Sequence, residues 1–178
     1  MQSFTTRAGI HVTIRPLHPT EGAQLLDLGE HLSPDTRYQR FHVALDHLQD
    51  AQMQRILAQL LDVDQVNRIA LVAVVTDETG HDDFVAVARA HRIANSDEAE
   101  SAVVVRDDYQ NQGLGLYMLE CLVEATRRAG FKRLRGYIQP SNMHMFHLLH
   151  KLNLHYETQV GHGEASVVIF LQPEPQPT

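Results

Sequence analysis

One cysteine, Cys121, is the only thiol in this 178-residue chain. No internal disulfide can form, which fits a reducing compartment. No apolar run approaches the roughly 20 residues that span a bilayer. The start, MQSFTTRAGIHVTI, has no basic segment followed by an apolar stretch, so no secretory signal is expected. Basic residues are outnumbered: 15 Lys and Arg against 22 Asp and Glu leave a formal net charge of −7. Nucleic acid is thereby disfavoured as a partner, because neutralising phosphates takes a basic face. Cationic substrates such as amines are favoured by the same charge, although many proteins carry it merely to stay soluble. There is no internal repeat and no interdomain linker. The expectation is a cytoplasmic protein with neither membrane nor nucleic acid as partner.

Hydrophobic residues make up 43% of the chain and charged residues 21%, an ordinary globular composition with enough apolar mass for one core. Residues 1–171 read as a single domain. The last seven, Gln172–Thr178, hold three prolines and read as a flexible tail. His11–Arg15 alternates like a strand. Thr20 is placed to cap a helix over Glu21–Leu32, and Ser33-Pro34-Asp35 opens a second helix to about Phe41. Met53, Ile56, Leu57, Leu60 and Leu61 recur with helical spacing. Ile69–Val75 and Phe84–Ala90, joined through Asp77–Gly80, form a hairpin, and Ala102–Val105 is the next strand. A helix from Gly113 to Ala129 follows, with Gly130 at the left-handed cap position. Leu134–Gln139, a helix from Asn142 to about Leu152, and two strands, His155–Val160 and Ala165–Leu171, complete one mixed α/β domain.

Chemistry concentrates at Val103-Val-Val-Arg-Asp-Asp-Tyr-Gln110-Asn-Gln-Gly113-Leu-Gly115. An apolar strand ends, a polar turn follows, and two glycines lead into a helix. Glycine lets backbone N–H groups wrap an anion with no Cβ in the way. The first-turn amides of a helix are unpaired and sit at its positive end. Two glycines by themselves fit a plain strand-to-helix turn equally well; the full string points to a phosphate. A dinucleotide fingerprint would need Gly or Ala where Met118 stands, and a P-loop would need Gly-Lys-Ser or Gly-Lys-Thr, which is absent.

This string resembles the Q/R-x-x-G-x-G/A signature of the GNAT superfamily of N-acetyltransferases, with Gln110, Gly113 and Gly115 at the three defining places. The resemblance implies an α/β (α+β) fold. Its centre is a mixed, mostly antiparallel sheet of six to seven strands with a splayed parallel pair, flanked by four to five helices. It implies acetyl-CoA as co-substrate and no metal. The amides of Gln110, Asn111, Gln112, Gly113, Leu114 and Gly115 would hold the pyrophosphate. Val103, Val104 and Val105 would pair with the pantetheine arm as an added strand does. Asn142, followed by Met145, Leu148, Lys151 and Leu152, resembles the second motif, whose asparagine approaches the cofactor; it also suits a helix N-cap.

A narrower resemblance, carried by Ser33–Phe41 and Val104–Gln110, is to the acetyltransferase domain of bacterial protein lysine acetyltransferases. Those enzymes often add a regulatory module, which these residues do not include. The implied acceptor is a primary amine, either a protein lysine or a small molecule, and a homodimer stays open. Acetylation needs the amine neutral, whereas a free lysine has a pKa near 10.4. Glu100, at the place where related enzymes carry a glutamate base, is the candidate to take that proton. The oxyanion would be met by the amide of Val103 or Val104. Where many members have a tyrosine acid this chain has Leu149, and neither Tyr117 nor His150 is assigned that role. Gln112 stands where a basic residue is common, and Asn153-Leu154 replaces the usual Gly-Phe. His144, His147 and His150 recur every third residue, a spacing that suits an exposed helix face better than a zinc site.

Overall fold

A computed structural model describes residues 1–41, 50–161 and 163–172; at residues 40, 41, 50 and 51 it describes the backbone only. Eight strands and five helices follow one another as β1 (Gln2–Thr5), β2 (His11–Pro16), α1 (Gly22–Glu30), α2 (Pro34–Phe41), α3 (Asp50–Leu61), β3 (Arg68–Thr76), β4 (Asp82–Arg92), β5 (Glu98–Val105), α4 (Leu114–Arg128), β6 (Arg133–Ile138), α5 (Met143–Lys151), β7 (Tyr156–Gly161) and β8 (Glu164–Phe170). They form one sheet in the order β1-β2-β3-β4-β5-β6-β8-β7. Every neighbouring pair is antiparallel except β5 and β6.

The sheet has eight strands rather than six to seven. The added strand is β1, whose polar residues Gln2, Ser3 and Thr5 flank a half-buried Phe4. Its register comes from pairing with β2, Gln2 opposite Ile14 through Thr5 opposite His11. Strand β5 also begins earlier than its apolar run, at Glu98. That carboxylate is only 7% exposed and is held by Arg133 and Arg135 of β6. Burying a charge is tolerable here because it is paired and hydrogen-bonded.

Two cores lie on opposite faces of the sheet. One packs Leu25, Leu28 and Leu32 with Ala70, Val72, Val74, Phe84 and Val87. The larger one packs Leu114, Met118 and Leu122 of α4 and Leu149 of α5 against Ala86, Ala88, Leu134, Val167 and Ile169. Each leucine fully removed from water there contributes about 2 kcal/mol. Gly130 ends α4 at φ +81° and Asn153 ends α5 at φ +52°, both in the left-handed region that their residue types tolerate.

Helix α1 starts differently from the Thr20 cap. Thr20 Oγ1 bonds His18 Nδ1 at 2.8 Å, and Glu21 takes the N-cap place without a side-chain cap bond. Its carboxylate is drawn instead to Arg15, at 2.6 and 3.0 Å, and to the amide of His18. A charge-assisted pair outweighs a hydroxyl cap. Residues 173–178 of the expected tail lie outside the described residues.

Candidate active site

The parallel pair is short. Glu98, Ala99 and Glu100 of β5 align with Arg133, Leu134 and Arg135 of β6, and there the ladder stops. Ser101 Oγ donates to the Arg135 carbonyl at 3.1 Å and ends the contact. Beyond it β5 follows β4 as far as Val105 opposite Ala86, while β6 follows β8 as far as Ile138 opposite Ala165. Each strand keeps its outer partner, so the two diverge. A cleft of about 660 Å³ opens between them, with Ala102–Val105 on one wall, Gly136–Ile138 on the other, and the start of α4 and one side of α5 as its floor and rim.

The turn leaving β5 is pinned from several sides. Arg106 pairs with Asp83 at 2.9 Å and Asp108 at 2.8 Å, donates its amide to the Val85 carbonyl, and lies over the Tyr109 ring. Gln110 Nε2 reaches the Val105 carbonyl at 3.1 Å and Thr36 Oγ1 at 3.2 Å. Asn111 and Gly113 both take left-handed backbones, at φ +59° and +91°. Such alternation turns successive amides to one side. Among the described residues, no acceptor meets the amides of Gln112, Gly113, Leu114, Gly115 or Leu116. Unpaired amides that lead into and open a 15-residue helix are suited to an anion. Gly113 is required by its φ. Gly115 lies where a Cβ would come 3.3 Å from Leu148 Cδ1 and 3.6 Å from Val105 Cγ2.

Val103, Val104, Val105, Gln110, Asn111, Gly113, Gly115 and Asn142 all line the cleft. Gln112 and Leu114 do not line it with their side chains. Gln112 Nε2 donates to the Asp108 carbonyl at 2.7 Å, and Leu114 is wholly buried as the anchor of α4. Asn142 caps α5, its Oδ1 accepting from the Met145 amide at 3.1 Å, and its Nδ2 donates to Gln39 Oε1 at 3.1 Å. Glu100 is exposed and is not part of the cleft wall. It sits at the last paired position before the strands part, on the same face as Val104, turned away from α4 and α5.

Leu149 is buried and touches the cleft. Tyr117 donates its hydroxyl to the Ser3 carbonyl at 3.2 Å and stacks on Phe4, and His150 faces solvent on α5; neither lines the cleft. His144 and His147 do line it, as does Lys151.

Three participants escaped the sequence. Asp107 accepts from the Ser33 amide, Ser33 Oγ and Thr36 Oγ1, at 2.8, 2.7 and 2.7 Å. Partial burial alone would raise its carboxyl pKa; those three donors outweigh that and hold it below the ordinary value. This tie binds the start of α2 to the turn after β5. Gln39 and Arg7 line the cleft itself, from α2 and from the β1–β2 loop. The polar string Ser33–Thr36 was a visible signal for the first; no local pattern marks the other two.

The Acetyltransferase (GNAT) domain family matches residues 11–155. This chain belongs to the GNAT acetyltransferase family. An acetyltransferase of Pseudomonas aeruginosa is 33% identical over 137 residues, covering 77% of this chain and 71% of that protein. The acetyltransferase Pat of Mycolicibacterium smegmatis is 26% identical over 147 residues, 82% of this chain but 42% of that longer protein. In shape, the GNAT domain of S. lividans PAT superposes with a TM-score of 0.81 at 23% identity, covering 95% of this chain and 96% of that one. The Salmonella typhimurium protein yncA, whose structure carries acetyl-CoA as its cofactor, gives a TM-score of 0.64 at 20% identity over 94% and 98% of the two chains. As a GNAT member, the chain is an acyl-CoA-dependent acetyltransferase.

Proposed function

We propose that this enzyme moves acetyl from acetyl-CoA to a primary amine, with a protein lysine side chain as the favoured acceptor and Glu100 as general base. The observation that carries the reading is the row of unpaired amides, Gln112–Leu116, at the mouth of the gap between β5 and β6. Those amides suit the diphosphate of the co-substrate, and the free edge of Val103–Val105 suits its extended pantetheine arm. That arm would bring the thioester toward the point where the strands part.

The reaction is direct attack. The amine nitrogen bonds to the thioester carbonyl carbon, and the N–H proton passes to the Glu100 carboxylate, directly or through one water. The amide of Val103 or Val104 stabilises the oxyanion. The C–S bond then breaks, and the thiolate needs little help in leaving because a thiol pKa is near 8.5. No acid at Leu149 is therefore required. Glu100 stands exposed beside the parting point, open to an acceptor arriving on the face opposite α4 and α5. The net charge of −7 favours a cationic acceptor. The resemblance of Ser33–Phe41 and Val104–Gln110 to protein lysine acetyltransferases supports lysine as that acceptor, and a cytoplasmic setting fits the single buried Cys121.

Glu100→Gln tests the base. Turnover should fall by about 10² or more; unchanged activity across pH would remove Glu100 from the mechanism. Thiol release scored against peptide lysines and small amines separates the two acceptor classes. Binding itself is tested by thermal unfolding with CoA. At about 100 times its Kd, CoA should stabilise the fold by about 2.7 kcal/mol. Binding without turnover of any amine would instead favour a degenerate CoA-binding module.

A further inference from the structure

We propose that Arg7, from the β1–β2 loop, supplies the positive charge for the co-substrate's diphosphate that the phosphate loop itself lacks. The inference rests on the acetyl-CoA reading of the cleft. Gln112 puts a neutral side chain on that loop, and it is spent on the Asp108 carbonyl. Asn111 and Gly113 add no charge. Amides and a helix end alone would then face a doubly charged group.

Arg7 is brought there by the fold rather than by sequence proximity. Its amide donates to the Gln112 carbonyl at 3.2 Å, and its Nη1 reaches the Asn111 carbonyl at 3.4 Å. The hairpin behind it is stiffened by Thr6, whose amide donates to the Ile10 carbonyl and whose Oγ1 accepts from the Ile10 amide. Phe4 stacks on Tyr117 at 4.8 Å, and its ring edge comes 3.2 Å from where a Gly113 Cβ would be. The hairpin and the anion seat are thus one packed unit.

The guanidinium remains available. Arg7 is exposed and lines the cleft. Among the described residues it has no carboxylate partner, whereas Arg15, Arg68, Arg106, Arg133 and Arg135 each have one. A planar fork with one long hydrogen bond, held beside five unpaired amides, is suited to phosphate oxygens. Lys151 also lines the cleft, but it stands on α5, and among the described residues no hydrogen bond ties it to the loop.

Titration of the unsubstituted 178-residue chain, Arg7→Gln and Arg7→Lys with CoA and with dephospho-CoA tests this. Arg7→Gln should weaken both ligands about tenfold, with Arg7→Lys recovering most of the loss. KM for acetyl-CoA should rise by the same factor while kcat stays unchanged, the signature of uniform binding. The ligand-free unfolding temperature should not move, because the backbone bond to Gln112 survives substitution. Equal affinity of Arg7→Gln and wild type would overturn the proposal. So would a loss seen with CoA but not with dephospho-CoA, which would assign Arg7 to the 3′-phosphate. Failure of the wild type to bind CoA would overturn the cofactor reading itself, and Arg7 with it.

Discussion

Asn142 and Gln39 are joined by a hydrogen bond of 3.1 Å from Nδ2 to Oε1, which links the start of α5 to α2 at the cleft rim. The other end of the same amide caps α5 through the Met145 amide. The two bonds can be separated by mutation. Asn142→Asp keeps an acceptor for Met145 and a negative group at a helix start, so its unfolding temperature should stay near wild type. Asn142→Ala loses the cap and should cost about 1 kcal/mol, a drop of about 2–4 °C for a chain of this size. If Asp and Ala destabilise equally, the link to Gln39 matters more than the cap. Thermal unfolding of the pair decides.

The two glycines of the anion seat should respond differently. Gly113→Ala meets a φ of +91° and the Phe4 ring 3.2 Å away. It should lose at least 1 kcal/mol of stability and weaken CoA further by turning the amides. Gly115→Ala has a helical backbone, and its new methyl meets the flexible tip of Leu148. It should keep CoA affinity within about threefold, since the helix amides are unchanged. Calorimetric titration of both variants checks the contrast.

Two carboxylates should link stability to acid. At Asp64, partial burial pulls the pKa up, but the amides of Arg68, Val66 and Asn67 outweigh it and bring the group down to about 2. Asp107 is lowered in the same sense by Ser33 and Thr36. For a depressed carboxylate the stabilisation is present above the unfolded value near 3.9 and is lost as pH falls through the folded value. Asp64→Ala should therefore lower the urea midpoint at pH 6, and the gap to wild type should close between about pH 4 and pH 2. For Asp107→Ala the gap should also narrow only below about pH 4. A gap that stayed constant to pH 2 would contradict the ionised form as the source.

Cys121 should be inert in the native state. Burial, with a further push from Glu120, lifts its thiol to about 11, and its Sγ meets Gln2 Oε1. At pH 8 the thiolate fraction is then about 10⁻³. Aromatic disulfide reagents should label one thiol in urea and almost none in buffer, so CoA release can be followed with no protein background.

Much of this architecture could be read from residue order, and the exceptions share a cause. Strands β2, β3, β4 and β8 show in their apolar patterns, α4 shows in its stripe, and the Gln110–Gly115 string marks the turn between β5 and α4 before any coordinates. Strand β1 did not show, because only Phe4 is apolar and its place depends on β2 and α4. The start of β5 was hidden by Glu98 and Glu100; the buried charge of Glu98 is compatible with a strand only once Arg133 and Arg135 arrive from β6. Arg7 and Gln39 reach the cleft, and Asp107 reaches the start of α2, through contacts of residues far apart in sequence. Local periodicity carries no trace of such convergence.

A sheet whose central ladder holds only three residue pairs is mechanically two plates. Strands β1–β5 make one, and β6, β8 and β7 make the other, riveted at Glu98–Glu100 and otherwise held by α4 and α5. An extended molecule slid into the gap would act as mortar, tying the plates along their open length. Amide exchange in β6 and β8 should slow when the gap is filled, and torsion of one plate against the other should be the softest large-scale motion of the protein.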